Sequence, residues 1–109
     1  MSPSERFRPL FHPRGVVISG VSAHPGKWGF LFLHHILRFG YEGKIFPINR
    51  EGVDVLGRTT VRSIDEVPTD EADLLIVCTP TAINVDLLRA AGKRGVRAAF
   101  VAAAGYGEA

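Results

Sequence analysis

The sequence predicts an α/β domain built on a doubly wound, mainly parallel sheet. Two observations carry that expectation. Short apolar runs bounded by glycine or turn formers recur along the chain, and stretches with helical patterning separate them. The runs are apolar throughout, without in–out alternation, as expected of strands covered on both faces.

Residues 14–20 form the first strand, a β-branched run closed by Gly20. Residues 21–27, rich in small residues and turn formers, form a loop. A helix over residues 28–39 ends at Gly40, a good C-cap residue. Its polar positions, His34, His35 and Arg38, share one narrow face, so the helix is expected to be covered on more than its sheet side. The second strand spans residues 44–49. Pro47 cannot donate to the ladder, which marks a strand end or a weakly paired position.

Residues 50–57 form a polar loop, and residues 59–62 suit a short edge strand. Ser63 and Glu66 have the spacing of a capping box for one helical turn, which Pro68 stops. Residues 73–78 are the clearest buried strand, and residues 79–82 turn into a helix over 83–93 with Ile83, Leu87, Leu88 and Ala91 on one face. Residues 97–103 make the last strand and 104–109 a small-residue loop. Numbered along the chain, the five strands are expected in the order 3-2-1-4-5. Residues 1–13 form an N-terminal lead-in segment.

The 109 residues, 46% hydrophobic and 22% charged, fit one globular domain over 1–109 and leave no room for a second core. A net charge of +2 is too mild for a non-specific nucleic-acid binder. No apolar stretch reaches the ~20 residues of a membrane span, and the start of the chain lacks the apolar run of a signal peptide. The single cysteine, Cys78, cannot form an internal disulfide and fits a reducing, cytoplasmic compartment. A loop after the last strand ordinarily leads into a further helix, so the chain is expected to be part of a longer multidomain protein.

In open parallel sheets, ligands bind at the carboxyl ends of the strands where the strand order reverses. Three loops leave those ends: residues 20–27, 79–82 and 104–107. All are rich in small residues that let a ligand approach the backbone N–H groups. The first departs from the dinucleotide fingerprint, because Ser22 replaces the second glycine and the loop is longer before Gly26 and Gly29. A plain turn into the helix also accounts for Gly20 and Gly26.

The end of the second strand carries Asn49 and Arg50 where an NAD-binding domain places a carboxylate about 20 residues beyond the glycines. A guanidinium there disfavours NAD and favours a nucleotide with a phosphorylated ribose, a description that NADP and coenzyme A (CoA) both meet. Arg50 also suits an ordinary solvated loop. Lys27 at the helix entrance suits either a phosphate contact or a surface position.

The four histidines form no metal set, since His34 and His35 are adjacent and their helical neighbour is Arg38. Cys78 suits a buried small hydrophobe better than a nucleophile. Glu42, Asp65 and Glu66 suit solvated loop positions. There is no Ser-His-Asp pattern, Walker loop or paired carboxylate set, so no catalytic residue is assigned.

Five segments in order carry a family resemblance. FHPRGVVISGVSAHPGKWG resembles the opening of the CoA-binding domain of ADP-forming (NDP-forming) acyl-CoA synthetases, relatives of the succinyl-CoA ligase α subunit. GYEGKIFPINR, VLGRTTVRSIDEVP, DLLIVCTPTA and GVRAAFVAAAGYGEA then resemble that family's following segments. The likeness runs from about Leu10 to the last residue.

The resemblance implies a Rossmann-like domain that holds CoA across the strand ends. The family's loop positions fall on Gly20, Val21, Ser22, Ala23 and Lys27, on Asn49 and Arg50, on Thr79, Pro80 and Thr81, and on Ala104 and Gly105. Val21 stands where members usually have Ala, and Asn49-Arg50 where they have Asn-Pro.

The resemblance also implies a parent ligase that joins a carboxylic acid and CoA at the expense of ATP. Its phosphohistidine domain and its ATP-grasp domain, which would bind ATP and Mg, lie outside this chain. The 109 residues would then bind CoA without catalysing the reaction. A stand-alone CoA-binding regulatory module and an NADP-binding oxidoreductase domain are the other readings. The apolar helix over 28–39 suggests a partner surface and a tendency to form homo-oligomers.

Overall fold

The computed structural model describes residues 3–102. Four strands, β1 (Gly15–Ile18), β2 (Lys44–Pro47), β3 (Leu74–Val77) and β4 (Ala98–Val101), form one all-parallel sheet in the order β2-β1-β3-β4. Three helices accompany them: α1 (Pro3–Phe11), α2 (Trp28–Arg38) and α3 (Thr81–Lys93).

Alternate strand residues feed two cores, one on each face. Val17, Leu75 and Val77 pack with Ile48, Ile64, Val67 and Ala91 on the α3 side. Val16, Ile18, Leu74 and Ile76 pack with Leu33 of α2 on the other. Both faces are therefore apolar, which explains the unbroken apolar runs of β1 and β3. The order reverses between β1 and β3, the neighbours whose crossovers lie on opposite faces.

Two expectations need correction. The edge strand over 59–62 reduces to a single parallel bridge between Val61 and Ile48, so a five-stranded order is not formed by the described residues. The chain reaches this point from the tight reversal at Val55–Arg58, where Leu56 and Gly57 both have positive φ, and Ser63 starts a helical turn directly afterwards. Too little chain remains to extend the pairing.

The lead-in segment contains helix α1, despite Pro9 within it. Arg8 Nη1 donates to Asp73 Oδ2 at 3.0 Å, and tertiary attachment of this kind outweighs weak helix propensity.

α3 begins at Thr81, two residues earlier than expected, with Pro80 as N-cap. Pro80 is extended there (φ −60°, ψ 149°), a conformation that suits the residue before a helix. The inward face of α3 is Asn84, Leu87 and Ala91, whereas Ile83 and Leu88 are 48% and 40% exposed. The apolar pattern hid Asn84, whose side chain is buried because it hydrogen-bonds Thr79.

Glu66 is exposed and makes the capping box expected of it with Ser63. Its Oε2 accepts from the Arg62 and Ser63 N–H groups at 2.7 and 3.3 Å, completing the capping box on the 3₁₀ turn Ile64–Glu66.

At the amino ends of the strands, Asp73 is fully buried. Its carboxylate accepts from the Arg14 N–H at 2.8 Å and from Arg14 Nε and Nη2 at 3.0 and 2.8 Å. These donors, with Arg8, hold its pKa far below the usual carboxylate range. The Tyr41 hydroxyl donates to the Pro13 carbonyl at 2.7 Å, fixing the same junction.

A cleft at the carboxyl ends of the strands

β1 ends in Ser19 and then Gly20, which adopts φ +68°. A Cβ on Gly20 would lie 2.7 Å from the Cys78 carbonyl oxygen, so only glycine lets the chain pass this close to the end of β3. Gly29, in the first turn of α2, is equally constrained, because a Cβ there would overlap the Gly20 carbonyl. It lets the helix seat against the loop. Gly26 meets nothing and is free of such a constraint.

Asn49 ties the first loop to the second. Its Nδ2 donates to the Val21 carbonyl at 2.8 Å, and its Oδ1 accepts from the Glu51 N–H at 2.9 Å. The Val21 N–H donates to the Ile48 carbonyl at 3.0 Å. The polar groups of Asn49 are therefore engaged in scaffolding.

Between β1 and β3, Ser19 Oγ lies 3.1 Å from Thr79 Oγ1 and accepts from the Cys78 N–H at 3.0 Å. Thr79 Oγ1 donates to Asn84 Oδ1 at 2.6 Å. This buried network locks the loops after β1 and β3 to the start of α3.

These loops surround a cleft of about 650 Å³. The expected residues Gly20, Val21, Ser22, Asn49, Arg50 and Thr79 line it together. Ala23, Lys27, Pro80 and Thr81 do not, and all four are exposed. Ala104 and Gly105 lie outside the described residues.

The sequence reading missed the far wall, made by Arg62, Ser63, Ile64 and Asp65 from the 3₁₀ turn and by Ile83, Asp86 and Leu87 from α3. The capping box was a visible signal for the turn, but nothing in the sequence placed it opposite Gly20. The wall combines apolar side chains with isolated charges, as small-molecule sites do.

Cys78 lies outside this lining, and burial raises its thiol to about 11. The strongly shifted carboxylate, Asp73, is at the other end of the sheet. Among the described residues, no three His, Cys, Asp or Glu side chains are grouped to hold a metal. The geometry is that of a binding cleft.

The chain is similar to several known proteins. The acetate–CoA ligase [ADP-forming] I subunit alpha of Pyrococcus furiosus is 35% identical over 103 residues, which are 91% of this chain and 22% of that protein. The acetate–CoA ligase [ADP-forming] II of Archaeoglobus fulgidus is 31% identical over 101 residues, 93% of this chain and 15% of that protein. The chain thus spans about a fifth or less of the length of these relatives.

Among solved structures, the Ca. Korarchaeum cryptofilum dinucleotide forming acetyl-coenzyme A synthetase 1, in complex with phosphate and ADP, matches with a TM-score of 0.78 and 29% identity. The match covers 85% of this chain and 20% of that one. A Pyrococcus horikoshii OT3 protein matches at 0.81 and 29%, over 91% of this chain and 22% of that one. The model of the CoA binding domain family matches residues 14–108, from the arginine before β1 to beyond the last described strand. With its parallel sheet, switch-point cleft and glycine turn at the end of β1, the chain belongs to the CoA-binding domain family.

Proposed function

We propose that the cleft binds CoA, and that the chain serves as the CoA-binding domain of an ADP-forming acyl-CoA synthetase. The observation that carries this reading is the convergence of Gly20–Ser22, Asn49–Arg50 and Thr79 on one cleft at the switch point. The small residues at 20–22 let the ligand's phosphates approach the backbone. Arg50 pairs the ribose phosphate bidentately. Ala23, Lys27, Pro80 and Thr81 contact the parts of CoA that extend beyond the cleft, and Ala104 and Gly105 are further candidate contacts with CoA.

In the parent, a carboxylic acid, CoA and ATP give acyl-CoA, ADP and phosphate. The phosphohistidine and ATP-grasp domains supply the chemistry, with ATP and Mg, in a cytoplasmic protein. This chain contributes no catalytic residue; it holds and orients CoA. The apolar outer side of α2, with Trp28 48% and Phe39 82% exposed, supports a contact surface for those domains or for a second copy.

Calorimetric titration with CoA and NADP tests the reading. CoA is expected to bind and NADP to bind more weakly. Preference for NADP would replace it with an oxidoreductase domain.

A further inference from the structure

We propose that Arg62 is the second cation of a phosphate clamp, closing with Arg50 on the phosphomonoester of the bound nucleotide's ribose. The inference rests on the nucleotide reading of the cleft. A parallel bridge sets the two arginines on adjacent segments. Ile48 and Val61 form a parallel bridge just beyond β2, with the Asn49 N–H donating to the Val61 carbonyl at 2.8 Å. Arg50 and Arg62 follow that bridge by two residues and one residue on adjacent segments, and both line the cleft.

Arg50 sits in a turn closed by the Gly52 N–H on the Asn49 carbonyl at 2.9 Å. The Arg62 guanidinium rests on that same turn: a Cβ at Gly52 would lie 2.9 Å from Arg62 Nε. One head group is thus seated on the turn that carries the other.

Among the described residues, neither guanidinium forms an ion pair. The ion pairs among the described residues use Arg8, Arg14, Lys44 and Arg94. Glu66, the carboxylate beside Arg62 in sequence, is held by the Arg62 and Ser63 N–H groups. Of the acids lining the cleft, Asp65 lies 4.0 Å from Arg94, and Glu51 and Asp86 make no ion pair. Both arginines line one cleft, and a dianion held between their guanidinium groups would offset their mutual repulsion. Their planar forks match phosphate oxygens bidentately, whereas a ribose hydroxyl offers one neutral acceptor oxygen and no charge.

The test is titration of the chain and its Arg62→Gln and Arg62→Lys variants with CoA and 3′-dephospho-CoA. The unaltered chain is expected to prefer CoA by about tenfold or more, the scale of one charge-assisted hydrogen bond. Arg62→Gln should lose most of that preference while keeping its affinity for dephospho-CoA. Arg62→Lys should keep part of it, because the charge remains and the fork is lost.

An unchanged preference in Arg62→Gln overturns the clamp, as does equal weakening of both ligands, which would mean that Arg62 acts through the fold. Equal binding of both ligands by the unaltered chain also overturns it but leaves the CoA reading standing. Failure of the folded, unaltered chain to bind either ligand removes the CoA reading itself, and the clamp with it.

Discussion

A Cβ at Gly29 would overlap the Gly20 carbonyl, and a Cβ at Gly20 would crowd the Cys78 carbonyl. Gly20→Ala is expected to cost more than about 1 kcal/mol, from its positive φ and the approach to Cys78. Gly26→Ala should change stability by less than about 0.5 kcal/mol. Urea unfolding of the two variants checks the contrast, and equal losses would refute it. At the opposite end of the sheet, the Asp73 carboxylate is held ionised by Arg14 and Arg8. Its folded pKa lies below its unfolded value, so the stability it contributes is full above about pH 5 and drains away as pH falls through about 4 and lower. Asp73→Asn should cost about 2–3 kcal/mol near neutral pH, on the scale of hydrogen bonds to a charged group. It should also flatten the acid limb of the stability curve. A variant whose acid limb matches that of the unaltered chain would refute the assignment.

Among the elements, α2 is anchored by Leu33, fully buried between the sheet and the aromatic residues around it. Leu33→Ala should cost about 2–5 kcal/mol, measured by urea unfolding. A loss below about 1 kcal/mol would mean that α2 docks through other contacts. Phe32 on the same helix meets Phe100 of β4 edge-on, with ring centroids 5.9 Å apart. The existence and type of α2 were legible because its pattern is long and closed by Gly40. α1 was not read from the sequence, although Pro3 at its first position and Glu5 in its first turn are start signals; its attachment depends on Asp73, which lies 65 residues from Arg8. The inward face of α3 was misjudged at Ile83 for a related reason. Hydrophobicity ranks Ile above Asn, yet Asn84 finds hydrogen-bond partners on Thr79, while Ile83 lines the cleft.

For the whole molecule, ligand binding and folding are linked. At a CoA concentration about 100 times its Kd, binding contributes about 2.7 kcal/mol, which raises Tm by roughly 10 °C for a domain of this size. A thermal scan with and without CoA checks this, and an unchanged Tm at saturating ligand would count against the cleft as the CoA site. The outer surface carries a second consequence. Trp28, Phe39, Phe100 and Val101 are all 48% exposed or more, so the chain should associate as its concentration rises. A single monomeric species in sedimentation at high concentration would count against that surface as a contact face. Among the described residues, no helix is long and apolar enough to cross a membrane.

The sequence by itself determined the parallel α/β plan, the glycine at the end of β1 and the cleft loops at 20–22, 49–50 and 79. Each rests on a local signal: an apolar run, a turn residue or a short motif. Only the tertiary structure decided that the turn at 62–65 faces those loops and that Arg62 lines the same cleft as Arg50. It alone seated α1 on Asp73. These juxtapositions join segments distant in the chain through a bridge, a buried carboxylate and side-chain packing. Local patterning shows which segments are strands and helices. It does not show which polar side chains from separate segments will meet, because that depends on register and packing fixed only when the whole sheet assembles.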